Sequence, residues 1–332
     1  MRPIDRPIKT KVENLRVGMF VELPGNWLKH AFVRNSFLLK DQSQVQKILQ
    51  SGIEVVLVDP LKSTIRPGST KKPNYIKKVP VKKTWDNPLM PDDFGAILKD
   101  ATIPPKEKAS YIYNASLDVM DTLFKSPTAD NLTQFKDGVS DMVDLILVDD
   151  EISSHLMNIT SHDYYTYTHS VNVGVLSILL TKILYGSSTP HNMEELGSAF
   201  FLHDLGKVHV PDSLIQKPGR LDDSELSIMR EHPLSGYQIL SDTDHLSSEC
   251  KIIVMQHHER DDGSGYPQGL KGEEIHVYGR ICTVADVFDA LTSRRPYKDP
   301  LSLYDSLFLM KGEMANHFNA EIFSAFVQIF KT

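Results

Sequence analysis

Side chains with the chemistry of metal ligands occur in several separate segments of the second half of the chain. His203 and Asp204 are adjacent, follow the apolar run 196–202 and precede a turn at Gly206. Five histidines and two aspartates form the candidate set: His169, His203, Asp204, His232, His257, His258 and Asp286. Imidazole and carboxylate donors in this number suit two divalent ions in a mixed nitrogen and oxygen environment. Each residue could instead be a core or surface side chain held by hydrogen bonds alone.

The segments that contain these residues have the periodicity of helices. Residues 132–147 keep one apolar face over four turns, and residues 106–124 do the same. We interpret these two as scaffold helices that pack on the ligand-bearing helices or on a second subunit. Further helices are predicted near residues 150–160, 167–185, 192–204, 222–232, 234–241, 247–257, 276–292 and 301–316. The sequence therefore predicts a mainly α protein in which residues 94–332 form an all-helical domain.

A small α/β unit is predicted at residues 1–62. Residues 17–23 alternate like a strand, Gln42–Gln50 has helical spacing, and residues 55–58 are a short buried strand. Three side chains between these elements could form a ligand or partner surface, or only a packed turn: Trp27, His30 and Phe32.

Residues 63–93 are predicted to be a linker, because prolines interrupt any helix and lysines make the segment basic. A basic run can contact nucleic acid or an acidic lipid surface, but few aromatic residues are interleaved here. A solvated connector between the two domains is the better interpretation.

Composition narrows the class of protein. The 332 residues carry a formal net charge of −7, which argues against a general binder of polymeric nucleic acid. The two cysteines, Cys250 and Cys282, fit no zinc spacing and favour a reducing compartment. The first residues have no apolar signal core, and the apolar run 171–184 is too short to span a bilayer. We therefore expect a cytoplasmic protein without a membrane segment.

Four motifs in the second half of the chain together resemble the HD-GYP family, the bacterial metal-dependent phosphodiesterases of cyclic dinucleotides. The motifs are His203-Asp204, HHERDDGSGYP at residues 257–267, ADVFDAL at 285–291 and RPYK at 295–298. They occur in the family's order between about residues 165 and 298. The unit at residues 1–62 likewise resembles the accessory domain often found ahead of HD-GYP domains, where it could mediate a homodimer or bind a protein partner.

The resemblance implies a role for each candidate ligand. Asp204 takes the position of the family's bridging aspartate, which holds two metals at a short separation. One metal would be completed by His169, His203 and Asp286, and the other by His232, His257 and His258. A mixed donor set with open positions suits iron or manganese better than a closed four-ligand zinc site.

The resemblance also implies residues that contact the substrate. Lys207 would support the phosphate or the leaving oxygen, with general-acid catalysis as one role, although an ordinary surface lysine is the alternative. Arg295 and Lys298 would hold the non-scissile phosphate. Gly265, Tyr266 and Pro267 belong to a loop over the substrate, in which Tyr266 either contacts the dinucleotide or only braces the loop.

The function implied is hydrolysis of cyclic di-GMP to linear pGpG, with further cleavage to GMP left open. The alternatives are a cyclic GMP-AMP phosphodiesterase on the same site and a catalytically weak sensor that binds a dinucleotide. Some family members carry a glutamate four positions before the first histidine that recruits a third metal. This chain has Tyr165 there, so we expect two metals rather than three.

Overall fold

The computed structural model divides the chain into two compact units, Met1–Val79 and Pro80–Thr332. It describes residues 7–24, 36–39, 42–50, 53, 55–59, 63, 89–159, 166–186, 192–217, 219–243, 246–294 and 299–331. Most of the predicted linker lies outside these residues, as do Trp27, His30 and Phe32, so their interpretation stays a prediction.

The first unit is the predicted small α/β domain. Its elements are β1 (Ile8–Lys11), β2 (Phe20–Glu22), β3 (Ser36–Leu38), α1 (Gln42–Gln50) and β4 (Val55–Asp59), and the antiparallel sheet has the order β1-β4-β2-β3. Val21 of β2 lies opposite Val58 of β4, and both are fully buried with Ile48 of α1. This shared core holds the sheet and the helix together as one unit.

Two details of this unit differ from the sequence prediction. The strand predicted at residues 17–23 starts only at Phe20, because the chain turns at Gly18, which has a φ of 92°. The strands β1 and β3 were not predicted from the sequence. Both are edge strands of three or four residues, too short and too mixed in polarity to give a clear alternating signal.

The second unit is helical, as predicted. Its described α-helices are α2 (Phe94–Lys99), α3 (Pro105–Lys125), α4 (Ala129–Val148), α5 (Asp150–Ile159), α6 (Thr166–Tyr185), α7 (Met193–Phe201), α8 (Asp212–Ile215), α9 (Asp223–Met229), α10 (His232–Thr243), α11 (Ser248–Gln256), α12 (Val277–Thr292), α13 (Leu303–Lys311) and α14 (Ala320–Gln328). None of the helices in the described ranges is long and apolar enough to cross a membrane.

Helix α6 is the centre of this unit. Its side chains from Thr168 to Thr181 are all buried, and it packs against α3, α7, α12 and α14. A helix that is apolar on all sides belongs in the interior of a large domain. The polar residues that α6 does bury, among them His169 and Asn172, are therefore expected to have specific partners.

The chain leaves helical geometry at the His203-Asp204 pair. Helix α7 ends at Phe201, three residues earlier than predicted, and a 3-10 helix follows at Leu205–His209. The backbone amides of Leu205 and Lys207 bond to carbonyls three residues back, on Leu202 and Asp204, which tightens the chain into successive turns. The turns place the pair beyond the helix end.

Gly206 sets the distance between this turn and α10. A Cβ atom at Gly206 would lie 1.9 Å from the carbonyl oxygen of His232 and 2.5 Å from the amide nitrogen of Gly236. Both atoms belong to the backbone of α10, which cannot move aside as a flexible side chain could. A glycine here is what allows Asp204 and His232 to share one site.

We therefore expect Gly206→Ala to destabilise the protein by about 3 kcal/mol, the upper end for overpacking, because two backbone segments must separate. Chemical denaturation measures the free energy of unfolding. Gly95→Ala is the matched control, since a Cβ there meets only Asp141 Oδ2 at 3.5 Å. Equal stability of the two variants would contradict the close-packing argument.

Candidate metal centre

Five segments of the second unit bring the candidate ligands together. His169 comes from the first turns of α6, His203 and Asp204 from the turn after α7, and His232 from the first position of α10. His257 and His258 directly follow α11, and Asp286 lies in the middle of α12. All are buried except His258, which is partly buried. The structure thus brings all seven sequence-predicted ligands into one cluster.

Three of these histidines are oriented in the same way. Nδ1 of His203, His232 and His257 lies 2.8, 2.7 and 2.8 Å from the carbonyl oxygen three residues earlier. Those carbonyls belong to the last turns of α7, α9 and α11, where helical carbonyls have no intrahelical partner. Because Nδ1–H donates to the backbone, Nε2 of each neutral ring presents a lone pair to the cluster.

His169 is oriented by a carboxylate instead. Its Nδ1 lies 2.7 Å from Oδ2 of Asp289 on α12, and its Nε2 lies 3.1 Å from Oδ1 of Asp286 one turn earlier on that helix. A carboxylate behind a metal-binding histidine fixes its tautomer and raises its basicity. His169 therefore also directs Nε2 into the cluster.

Asp204 lies at the centre of the cluster. Its Oδ1 is 3.1 Å from Nε2 of His232 and 3.7 Å from Nε2 of His257, and its Oδ2 is 3.5 Å from Nε2 of His169. The described ligand atoms form two groups that could each hold a metal ion, and Asp204 is common to both: Asp204, His232, His257 and His258 in one, and His169, His203 and Asp204 in the other.

One oxygen of Asp204 and two imidazole nitrogens of the cluster face other acceptor atoms. Oδ1 of Asp204 is buried and has no hydrogen-bond partner among the described groups. Nε2 of His232 and Nε2 of His257 approach within 3.1 Å, although both rings already donate through Nδ1. Lone pairs that face one another in a buried space need a positive charge, and these nitrogen and oxygen donors fit a divalent metal ion.

Asp286 lies between the two groups of donors. Its two oxygens are 3.1 Å from Nε2 of His169 and 3.3 Å from Nδ1 of His258. His258 thus differs from the other four histidines, because its Nδ1, rather than its Nε2, faces another candidate ligand. Asp286 is therefore close enough to contribute an oxygen ligand either to the group with His169 or to the group with His258.

The titration properties of these residues reflect deep burial. Burial acts to lower the pKa of His169, but hydrogen bonds to Asp286 and Asp289 raise it to about 10. Burial lowers the pKa of His203 far below its usual range, and burial beside His257 lowers that of His258 to about 3. The carboxylates of Asp286 and Asp289 thus favour positive charge beside His169, as a bound cation would also supply, while His203 and His258 stay neutral.

Lys207 reaches the same aspartate. Its Nζ lies 2.5 Å from Oδ2 of Asp204, and its side chain is 11% exposed. Burial opposes the charge of Asp204, but the ammonium of Lys207 holds the pKa of that carboxyl well below its usual range. Lys207 is therefore part of the cluster rather than a free surface lysine.

The glycine-rich loop after His258 is held against the site by a buried carboxylate. Glu259 accepts hydrogen bonds from the amides of Gln268 at 2.6 Å and Leu270 at 2.9 Å. Gly265 packs so closely that a Cβ there would lie 2.6 Å from the carbonyl oxygen of His258. The amide of Tyr266 donates to that same carbonyl at 3.1 Å. The loop is thus attached directly to a candidate ligand.

Tyr266 packs on the cluster itself. Its ring centroid is 4.7 Å from that of His258, and the guanidinium of Arg230 lies over the tyrosine ring at 5.4 Å. Burial, together with the charges of Asp286 and Asp204, raises the pKa of the phenol, which keeps it neutral. Of the two interpretations left open by the sequence, these contacts favour a brace. Pro267 follows Tyr266 on the exposed side of the loop.

Three candidate residues lie outside the described part of the chain: Tyr165, Arg295 and Lys298. Their roles stay predictions. Residues up to Arg294 and from Asp299 onward are described, so the RPYK motif follows directly after the helix that carries Asp286.

Sequence reasoning missed the residues behind the ligands. Asp289 orients His169, Asn172 donates to Oδ1 of Asp289 at 2.7 Å, and Glu259 holds the loop. The spacing of these residues could have predicted two of them. Asn172 follows His169 by three positions, and Asp289 follows Asp286 by three. On a helix that spacing puts both residues of each pair on one face, so two facing helices each present a polar pair.

Comparisons with known proteins agree with this site. Residues 158–322 match a family model described as an HD domain, and residues 7–131 match a domain of unknown function, DUF3391. The first range contains every ligand candidate. The second covers the α/β unit and continues through α3.

Several individual proteins similar to this chain are named as phosphodiesterases of cyclic dinucleotides or as HD-type proteins. The chain is 33% identical to a cyclic di-GMP phosphodiesterase of Pseudomonas aeruginosa over 96% of its own length and 75% of that protein. It is 38% identical to 3'3'-cGAMP-specific phosphodiesterase 2 of Vibrio cholerae, over 54% of this chain and 35% of the relative. Its fold is similar to that of Bd1817, a HDG"Y"P protein from Bdellovibrio bacteriovorus, with a TM-score of 0.62 and 18% identity over 98% of this chain and all of the other. With similarity to the first relative along nearly its whole length, and with the HD motif inside the matched HD domain, the chain belongs to the HD-GYP family.

Proposed function

We propose that this chain is a metal-dependent phosphodiesterase that hydrolyses cyclic di-GMP to linear pGpG, with GMP as a further product left open. The observation that carries the proposal is the position of Asp204. Its carboxylate is buried between two groups of imidazole nitrogens, and one of its oxygens has no hydrogen-bond partner among the described groups. Such an arrangement is stable only with cationic charge beside it.

Two divalent ions, iron or manganese, are the proposed cofactors. His169, His203 and Asp286 would hold one and His232, His257 and His258 the other, with Asp204 shared. When bound, such ions supply a nucleophilic water near neutral pH and offset negative charge on phosphorus. Imidazole and carboxylate donors in this ratio suit these metals.

Side chains of the protein bind the substrate and transfer the proton. Lys207, held 2.5 Å from Asp204, places an ammonium beside the site, where it supports the phosphate or gives a proton to the leaving oxygen. Arg295 and Lys298 hold the non-scissile phosphate, because a guanidinium fork and a compact ammonium both bind phosphate oxygens. Gly265, Tyr266 and Pro267 form the wall of the substrate site, with Tyr266 bracing it through His258.

Cyclic GMP-AMP is the second candidate substrate, since the 3'3'-cGAMP-specific relative is 38% identical over 54% of this chain. Cyclic di-GMP is preferred because the relative named for it is similar over 96% of the chain, including the N-terminal domain. A weak sensor is the third candidate, against which the complete set of ligands argues.

The remaining proposals concern cellular context. We propose the cytoplasm as the compartment, because the two cysteines, Cys250 and Cys282, are both buried and form no disulfide. The domain boundaries 1–62, 63–93 and 94–332, and a homodimer or protein partner at the first domain, rest on the sequence alone.

A turnover assay with both dinucleotides and added Mn²⁺ or Fe²⁺ tests the function. We expect faster hydrolysis of cyclic di-GMP. Asp204→Ala should reduce turnover by more than roughly 100-fold, because both metals lose a shared ligand. Loss of a residue that only orients a ligand typically costs up to about 100-fold. Circular dichroism should show helical content nearly intact. Asp212→Ala, at an exposed carboxylate nearby in sequence, is the control and should stay active. Near-wild-type turnover of Asp204→Ala would refute the mechanism.

Substrate binding gives a second prediction. Arg295→Ala and Lys298→Ala should each raise KM by about 10-fold or more, as expected for loss of a charge-assisted contact of roughly 1.5–3 kcal/mol. Metal content, measured by elemental analysis, should not change, since neither residue is a proposed ligand. Unaltered kinetics in both variants would remove these residues from the substrate site.

Metal count gives a third prediction. An ordinary phenol has a pKa of about 10, so Tyr165 is a poor ligand for a divalent ion at neutral pH. We expect two metals per chain in elemental analysis of anaerobically purified protein. Tyr165→Glu would supply a carboxylate at that position and serves as the comparison, in which a third equivalent is expected. Three equivalents in the unaltered protein would show that another group completes a third site.

A further inference from the structure

A buried chain of hydrogen bonds connects helix α3 to the ligand candidate His169. The hydroxyl of Tyr113 donates to Oδ1 of Asn172 at 2.8 Å, and Nδ2 of Asn172 donates to Oδ1 of Asp289 at 2.7 Å. Oδ2 of Asp289 lies 2.7 Å from Nδ1 of His169. All four residues are at most 3% exposed. Three helices, α3, α6 and α12, thus contribute to one continuous connection.

The order of donors and acceptors in this chain is fixed by Asp289. An ionised carboxylate only accepts, so it selects the N–H of His169 and the amide NH₂ of Asn172. The amide oxygen of Asn172 must then face away from Asp289, toward α3, where it requires a donor. The hydroxyl of Tyr113 is the donor at that point. Tyr113 therefore satisfies the amide oxygen of Asn172 in the orientation that Asp289 selects, and helps to hold it there.

Tyr113 lies outside the part of the chain that matches the HD domain. The HD-domain match covers residues 158–322 and contains His169, Asn172 and Asp289, but not α3. Tyr113 instead belongs to the range 7–131 that matches the domain of unknown function. A residue outside the matched HD domain thus reaches a candidate metal ligand through two intervening side chains.

We propose that Tyr113 is a positioning residue for the metal centre, which acts through Asn172 and Asp289 to hold His169 with Nε2 directed at the metal. This inference rests on the proposed role of His169 as a ligand. It assigns to α3 a part in metal binding in addition to its packing. Residues behind a metal ligand typically change metal affinity by about 10–100-fold when they are replaced.

The test is a calorimetric titration of the full-length, metal-depleted chain with Mn²⁺. Tyr113→Phe removes one hydroxyl and keeps the ring. We expect it to weaken the Mn²⁺ affinity of the His169 group by about 3- to 10-fold, at or below the lower limit for such residues, because two side chains intervene. Tyr111→Phe is the matched control on the same helix. Its hydroxyl donates to Asp93 at 2.7 Å, so it loses a hydrogen bond that does not lead to His169.

A double-mutant cycle separates positioning from general destabilisation. If Tyr113 acts through Asn172, Tyr113→Phe should have no further effect on Mn²⁺ affinity in an Asn172→Ala background. Thermal unfolding of each variant shows that the chain stays folded. Equal Mn²⁺ affinity in Tyr113→Phe, Tyr111→Phe and the unaltered chain would overturn the inference, as would additive effects in the cycle. Unaltered affinity in His169→Ala would overturn the proposed ligand assignment itself, and Tyr113 with it.

Discussion

The structure of the second unit depends on a carboxylate buried where water cannot solvate it. Asp204 is 1% exposed and lies among imidazole nitrogens, most of which are held as acceptors. An anion in such a place is stable only near a compensating positive charge. Lys207 supplies part of that charge, and the arrangement of the remaining donors fits divalent ions. The turn after α7, the close contact at Gly206 and the start of α10 all keep this group assembled.

Three of the histidines are oriented by hydrogen bonds to the carbonyls at helix C-termini. The last carbonyls of a helix have no partner within the helix, and an imidazole just beyond the end can satisfy one of them. His203, His232 and His257 each do so, and each is thereby fixed in the tautomer that presents Nε2 to the site. His169 lies instead near the start of a helix, and its Nδ1 is 2.7 Å from a carboxylate oxygen of Asp289 on a neighbouring helix. One consequence is that backbone geometry, rather than neighbouring side chains, orients most of the centre.

The loop and the scaffold helices connect this centre to the rest of the domain. Glu259 ties the glycine-rich loop to the chain directly after His258, and Tyr266 packs on that histidine under Arg230. A separate series of hydrogen bonds connects Tyr113 of α3 to His169 through Asn172 and Asp289. Changes in the glycine-rich loop or in the scaffold can therefore alter the orientation of individual candidate ligands.

The sequence by itself determined the class of the fold, the set of candidate ligands and the family. The fold class follows from helical periodicity, and the ligand set and the family follow from the resemblance of motifs such as His203-Asp204 and His257-His258 to those of HD-GYP proteins. It did not determine the short edge strands β1 and β3, the exact end of α7, or the residues behind the ligands. Only the tertiary structure showed that Asp289 faces His169 across two helices, and that Gly206 contacts the backbone of α10. Such contacts join residues far apart in the chain, and the packing of helices against one another decides them rather than any local propensity.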